Sequence, residues 1–188
     1  DGHAMLLINP HLRWEPPFIW FETKIEIPSF TLYGVANVGT PTIGIGFSEA
    51  GGWTHTVNTI DAADLYSLTV RGDSYLYDGR LRPFETRTES YKVKRADGSL
   101  ETRSLQIRSS VHGPVIRQEG DRALALRLST LKLFGMLDQY WSMAAAKTLP
   151  AFEAAMKKMQ IPCFNTLYAN RDGHIYYYYG ARIPDRKT

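Results

Sequence analysis

Several features that commonly reveal a function are missing from this sequence. It has a single cysteine, Cys163, so an internal disulfide is impossible and cysteine pairing says nothing about the redox compartment. No run of about eighteen apolar residues occurs, which argues against a membrane-spanning segment. The formal net charge is only +3, with acidic and basic residues interleaved, so no basic face indicates nucleic-acid binding.

Familiar catalytic signatures are also missing. The five histidines are spread along the chain without metal-ligand spacing, and the cysteine has no companion motif, which makes a zinc site improbable. No Gly-x-Ser-x-Gly elbow, Walker motif or dinucleotide fingerprint is present. The chemistry of individual residues therefore indicates an α+β domain and does not indicate a particular activity.

The first half of the sequence and its tail are typical of β structure. Glycine and proline separate short segments rich in β-branched and aromatic residues, and Asp78-Gly79 is a hairpin-turn signal. The tyrosine run at 176–179 is interpreted as a strand with one face in the core. The predicted strands are Trp20–Ile27, Leu32–Val38, Ile43–Phe47, Trp53–Val57, Leu65–Val70, Ser74–Tyr77, Glu89–Lys94, Leu100–Arg108, Phe164–Ala169 and Ile175–Tyr179.

One segment has helical periodicity instead. Apolar residues follow helical spacing over 131–160 in two groups, which predicts a pair of helices. Between the groups, Thr148 is a predicted N-cap and Pro150 a favoured first-turn residue. The predicted order is strands, a pair of helices and further strands, which indicates an α+β fold. The 44% apolar content is enough to form one hydrophobic core.

The order of several sequence blocks is more informative than any single residue. In this order and at this spacing, they resemble the penicillin acylase family of N-terminal nucleophile hydrolases, which includes acyl-homoserine-lactone, aculeacin and cephalosporin acylases. The resemblance implies an αββα sandwich, of which residues 1–188 are one partial domain from the catalytic subunit. The blocks are Leu6–Trp14, Gly46–Ser48, Gly52–Thr59, His112–Val115, Phe164–Ala169 with Asp172-Gly173, and Gly180–Arg186.

The resemblance also implies a reaction. In this family a self-cleaved precursor exposes a serine whose own α-amine, with a pKa near 8, acts as general base toward its hydroxyl. The serine attacks an amide carbonyl, an acyl-enzyme forms and water releases the acid. Family spacing puts that serine upstream of Asp1, so this chain alone is not expected to catalyse hydrolysis by the family route.

Four residues match catalytic positions of the family. Asn165 matches a side-chain donor to the tetrahedral intermediate, and Val57 matches the residue whose main-chain N–H is the second donor. His11 matches a histidine that orients the nucleophile, and Arg186 resembles an arginine that buttresses either the asparagine or the backbone of the nucleophile. The alternatives are a turn-capping amide for Asn165, a hydrogen-bonded turn histidine for His11 and a solvated side chain for Arg186. His55 is interpreted as structural.

The resemblance also suggests part of an acyl pocket. Leu12, Trp14, Trp20 and Phe21 fall at positions that would form one apolar wall, although each is equally compatible with a place in the core. Where relatives often carry Pro-Gly-x-Pro, this chain has Val-Gly-Thr-Pro at 38–41. Substrate choice therefore does not carry over from the family.

A loop in the sequence matches calcium ligands of the penicillin G acylase branch. The ligands would be Asp61, the carbonyl of Ala63 and Asp64. Calcium takes six to eight oxygens, so a site would need ligands from another subunit. The alternative is a turn with an aspartate cap entering Leu65. No other cofactor is expected.

The function that the resemblance implies is hydrolysis of a linear amide in a small N-acylated molecule, such as a β-lactam side chain, an acyl-homoserine lactone or a lipopeptide. The expected partners are a smaller alpha subunit and the remainder of the catalytic chain, in the bacterial periplasm or outside the cell. One rival is a non-catalytic binding or scaffold fragment of the same fold. Another is a module that binds carbohydrate through its tryptophans and tyrosines.

Overall fold

The computed structural model describes residues 2–186 and has the α+β content predicted from the sequence. The strands are β1 (Trp20–Ile27), β2 (Phe30–Asn37), β3 (Ile45–Ser48), β4 (Gly51–Val57), β5 (Ala63–Arg71), β6 (Ser74–Tyr77), β7 (Arg80–Pro83), β8 (Glu85–Lys94), β9 (Leu100–Ser110), β10 (Gly113–Glu119), β11 (Arg122–Leu128), β12 (Phe164–Asn170) and β13 (Ile175–Gly180). The helices are α1 (Met136–Ala145) and α2 (Leu149–Met156).

The chain divides into two compact units. One contains the residues up to Ala62 together with those from Lys132 onward, and the other is Ala63–Leu131. A division by contacts does not establish that either unit folds alone, so the prediction of one partial domain stays a prediction.

The first unit is built on a six-stranded antiparallel sheet. Its strand order is β1-β2-β3-β4-β12-β13, so β12 returns after the helices and inserts beside β4. The first strand has the predicted bounds, whereas β3 begins at Ile45 and not at Ile43. Ile43 is fully buried as it enters β3, which explains its strand-like character in the sequence.

The two helices occupy the predicted segment but only part of its length. Thr148 caps α2, since its side chain accepts a hydrogen bond from the Ala151 N–H at 3.4 Å. The first helix begins at Met136, so the predicted helical character from residue 131 is wrong for the initial five residues. Gly135, a poor helix former, occupies the N-cap, and its N–H is satisfied by the Gln160 side chain at 3.1 Å.

The helices and one face of this sheet form the core of the first unit. Phe152 of α2 is fully buried and stacks on Tyr168 of β12, with ring centroids 4.0 Å apart. The Phe152 ring also contacts Trp53 of β4 and Tyr176 of β13. Tyr176 and Tyr178 pack against this core while Tyr177 projects from the other face, as the predicted strand requires.

His55 lies inside this core, in agreement with its interpretation as structural. Its Nδ1 is 3.0 Å from Thr166 Oγ1 on the neighbouring strand, and its ring contacts Tyr140 and Phe164. Burial lowers the pKa of His55 to about 4, because the interior cannot solvate an imidazolium. Burial likewise raises the pKa of Tyr140 to about 12. Both groups are therefore neutral at physiological pH.

The second unit is a seven-stranded sheet in the order β7-β6-β5-β11-β10-β9-β8. Its core includes Tyr75 and Phe84, whose rings are 4.8 Å apart. Strands β7, β10 and β11 were not predicted. Gly113, in the His-Gly-Pro-Val block, has a φ of 136°, and a Cβ there would lie 2.1 Å from the Leu126 carbonyl oxygen. Only glycine allows β11 to approach so closely.

Within residues 2–186, neither helix has the length and apolar composition needed to cross a membrane.

Truncating the central aromatic ring should destabilise the first unit. We expect Phe152→Ala to lower the free energy of unfolding by about 3–5 kcal/mol, because it leaves a cavity among three aromatic rings. Urea unfolding of the whole protein followed by tryptophan fluorescence measures this change. Phe134→Ala is the control, since Phe134 is 89% exposed. Equal stability losses in the two variants would contradict the described core.

The buried imidazole gives a pH dependence with a defined sign. The unfolded chain binds the His55 proton near pH 6.5 and the folded chain near pH 4, so stability falls as pH drops through this window. Protonation of His55 alone lowers the free energy of unfolding by about 3 kcal/mol across this window. An NMR titration of the histidines, with the His55 signal assigned from the His55→Asn variant, measures this pKa. The His55 midpoint should lie about two pH units below that of an exposed histidine. A midpoint near 6.5 would contradict the described burial.

Candidate active site

The pairing of β4 with β12 joins two parts of the sequence that carry predicted catalytic residues. The strands are antiparallel, with Asn165 opposite Thr56 and Phe164 opposite Val57. Asn165 and Val57 are therefore diagonal neighbours on adjacent strands, although more than a hundred residues separate them in the chain. Each lies at the same end of the ladder, where both strands meet loops.

The Asn165 carboxamide has a hydrogen-bond partner at each end. Its Nδ2 donates to Thr56 Oγ1 at 3.0 Å, and its Oδ1 accepts from the Tyr177 hydroxyl at 2.7 Å. Nδ2 carries two hydrogens, so one N–H is directed at Thr56 and the second is available to another acceptor. The side chain is partly exposed, which leaves that second N–H accessible to a substrate.

The Val57 main-chain N–H projects from the opposite edge of β4. In the β4–β12 ladder the Asn58 N–H bonds the Cys163 carbonyl at 3.1 Å, and alternate residues of an antiparallel strand point their N–H groups to opposite sides. The Val57 N–H therefore points away from β12. The pairing of β3 with β4 covers only Gly52 and Trp53, so no described strand pairs this part of the edge.

Thr56 brings these two donors together. Its side chain holds Asn165 Nδ2 above β4, and its carbonyl carbon is bonded to the Val57 nitrogen. A carboxamide N–H and a main-chain N–H thus both adjoin Thr56 at the end of β4. Two fixed donors directed at one point stabilise an oxyanion. The catalytic roles of Asn165 and Val57 stay predictions.

The loops at this end of the ladder are tied together by a buried asparagine. Asn58 Nδ2 donates to the Gly180 carbonyl at 2.8 Å, and the Asn58 N–H bonds the Cys163 carbonyl. The Cys163 N–H in turn bonds the Gly180 carbonyl at 3.0 Å. Cys163 has a φ of 76°, a strained conformation for a residue with a side chain. These contacts fix where β4, β12 and β13 end.

The other two predicted catalytic residues make contacts of their own. His11 is exposed, and its Nδ1 lies 3.1 Å from the Asn9 carbonyl oxygen, a local contact within the Asn-Pro-His turn. Arg186 forms an ion pair with the Asp61 carboxylate at 3.0 Å and donates to the Asp61 carbonyl at 3.2 Å. The described contacts therefore bring neither residue to Asn165, and both roles stay predictions.

The residues predicted for the acyl pocket lie in two different settings. Leu12 and Trp14 belong to the N-terminal segment without regular structure, where Trp14 is 98% exposed. Trp20 and Phe21 are consecutive residues of β1 and so project to opposite faces of the sheet. The Trp20 ring lies against Gly44, and Phe21 is partly exposed. The described residues do not form one wall, and the pocket stays a prediction.

The loop predicted to bind calcium has other contacts among the described residues. The Asp61 carboxylate forms its ion pair with the Arg186 guanidinium. Ala63 and Asp64 begin β5, where Asp64 is opposite Arg127 in the register. Among residues 2–186 no group of three or more His, Cys, Asp or Glu side chains is arranged to hold a metal. Calcium binding stays a prediction that requires further oxygen ligands.

Sequence reasoning missed three residues of this region. Thr56 and Tyr177 hold the Asn165 amide, and Asn58 ties the strand ends. Alternation alone indicates that Tyr177 and Tyr179 share a face, but it does not give the register that puts Tyr177 within reach of Asn165. Asn58 is the penultimate residue of the Gly52–Thr59 block, and an asparagine directly after a strand is the one signal that could have drawn attention to it.

Comparisons with known proteins agree with the resemblance of the sequence blocks. The chain is 33% identical to the acyl-homoserine lactone acylase PvdQ of Pseudomonas syringae pv. syringae, over 98% of this chain and 25% of that protein. It is 28% identical to the aculeacin-A acylase of Actinoplanes utahensis, over 98% of this chain and 24% of that protein. The chain therefore spans about a quarter of the length of the curated relatives it matches.

The fold and the family follow from two further comparisons. The structure superposes on the thermostable penicillin G acylase of Alcaligenes faecalis with a TM-score of 0.73 and 22% identity, over 86% of this chain and 30% of that one. This match confirms the predicted fold class. The family model described as penicillin amidase matches residues 1–188. The chain belongs to the penicillin amidase family.

Proposed function

We propose that this chain is part of an enzyme that hydrolyses a linear amide bond in an N-acylated molecule. The observation that carries the proposal is the pairing of β4 with β12, in which Thr56 binds Asn165 Nδ2 through its hydroxyl and directly precedes Val57. In the proposed site, the Asn165 carboxamide and the Val57 main-chain N–H bind the oxygen of a carbonyl as it becomes negatively charged. Membership of the penicillin amidase family supports this assignment.

The proposed reaction uses a serine outside residues 1–188. The α-amine of that serine takes its hydroxyl proton while the oxygen attacks the amide carbonyl, which forms a tetrahedral intermediate. The Asn165 carboxamide and the Val57 N–H donate to the developing oxyanion. The amine leaves with the proton, an acyl-enzyme remains, and water hydrolyses the ester to release the acid. Because the nucleophile lies elsewhere, we expect residues 1–188 alone to be inactive.

The names of the relatives support the substrate class but not a particular substrate. They name acylases that act on acyl-homoserine lactone, aculeacin A and penicillin G. A small molecule in which an acyl chain is joined to an amine-bearing core through a linear amide fits all three. The proposed partners are a smaller alpha subunit and the rest of the catalytic chain. The relatives are bacterial, and the proposed location is the periplasm or the cell exterior.

Replacing the carboxamide donor tests the proposal directly. In the whole enzyme, we expect Asn165→Ala to lower kcat by about a hundredfold or more, because an oxyanion donor contributes roughly 3 kcal/mol to the transition state. Turnover of an N-acyl amide with a chromogenic amine measures the change, and the thermal midpoint checks folding.

Asn37→Ala serves as the control for this experiment. Asn37 is at the end of β2, its side chain makes no described hydrogen bond, and we expect its removal to change kcat by less than threefold. If Asn165→Ala also stays within threefold of the wild type, Asn165 is not an oxyanion donor. A wild-type enzyme that turns over no N-acyl amide would favour the non-catalytic role instead.

A further inference from the structure

We propose that Tyr177 is a positioning residue that sets the orientation of the Asn165 carboxamide. The inference rests on the proposed function, since it concerns how one oxyanion donor is held. Tyr177 donates its hydroxyl hydrogen to Asn165 Oδ1 at 2.7 Å, a short and well-formed hydrogen bond. In the proposed reaction, Tyr177 would act on the intermediate only through Asn165.

The sheet register explains why this tyrosine reaches the amide. Asn165 of β12 is directly opposite Tyr179 of β13, and Tyr177 is two residues further along the same face. A diagonal neighbour of this kind lies about 7–8 Å away between Cα atoms, which a tyrosine side chain can span. Tyr176 and Tyr178 point to the opposite face, where they pack against the helical core. The core residues thereby fix the strand from which Tyr177 projects.

The two ends of the amide have different tasks, so its orientation matters. Rotation about the terminal torsion of an asparagine is soft, and a half turn exchanges the oxygen with the nitrogen. When Nδ2 faces the substrate, Asn165 donates a hydrogen bond to the oxyanion. When Oδ1 faces the substrate, its partial negative charge repels the oxyanion. The Tyr177 contact at 2.7 Å has the usual length of an O–H···O bond and the Thr56 contact at 3.0 Å that of an N–H···O bond, so Oδ1 faces Tyr177 and Nδ2 faces Thr56. The second Nδ2 hydrogen is then directed before any substrate arrives, which avoids reorganisation during the reaction.

The exposure of the ring separates this role from simple packing. Tyr177 is 59% exposed, so its ring contributes little to the core. Removing only the hydroxyl leaves the strand, the ring and the neighbouring contacts in place. An effect of Tyr177→Phe on catalysis would therefore come from the lost hydrogen bond to Asn165.

The test compares Tyr177→Phe with Tyr179→Phe in the whole enzyme. Tyr179 is on the same strand and face, is 47% exposed and makes no described hydrogen bond, so it is a matched control. We expect Tyr177→Phe to lower kcat about tenfold with KM changed less than twofold, because the orientation matters in the transition state. Tyr179→Phe should leave both constants within twofold, and neither variant should shift the thermal midpoint by more than about 2 °C.

A double-mutant cycle with Asn165→Ala completes the test. If Tyr177 acts through Asn165, Tyr177→Phe causes no further loss when Asn165 is already alanine. A full additional tenfold loss in that background would overturn the inference, as would a Tyr177→Phe enzyme indistinguishable from Tyr179→Phe. The two proposals fail separately: a wild-type enzyme that turns over no N-acyl amide contradicts the proposed function, whereas an inactive Asn165→Ala enzyme with a fully active Tyr177→Phe enzyme removes only the role of Tyr177.

Discussion

The antiparallel pairing of β4 with β12 is the constraint on which the rest of the site depends. Its register puts Asn165 opposite Thr56 and diagonal to Val57. A shift of one residue would move the Asn165 side chain to the other face of the sheet, where the aromatic core lies. The proposed catalytic geometry is therefore a consequence of strand pairing, and no local motif in either segment would produce it.

The core under this sheet is what makes that register unique. Trp53 and His55 of β4, with Thr166 and Tyr168 of β12, alternate with the residues that face the site and are almost completely buried. Slipping the strands would expose these aromatic rings and bury the polar Asn165 and Thr56 without partners. Asn58 closes the end of the ladder by bonding the carbonyl of Gly180. A rigid support of this kind suits donors that must be in place before the charge develops.

The sequence predicted most of the local structure but not the contacts between distant segments. Composition and alternation gave β1 with its bounds, the Thr148 cap and the strand character of the tyrosine run. Strand β10 was missed because charged residues interrupt its alternation, as in Ile-Arg-Gln-Glu, and β11 because its Ala-Leu-Ala-Leu core contains no β-branched or aromatic residue. Asn165 and Val57 came from family resemblance. The roles of Thr56 and Tyr177 could not be predicted, because they depend on a register between strands that the sequence does not state.

The most direct test is a crystal structure of the whole enzyme with a boronic acid bound to its nucleophilic serine, since the tetrahedral boronate mimics the intermediate. The account predicts one boronate oxygen about 2.7–3.1 Å from both Asn165 Nδ2 and the Val57 nitrogen, with Asn165 Oδ1 still bonded to Tyr177. A boronate oxygen bound by other donors, with Asn165 and Val57 facing away from the serine, would contradict it.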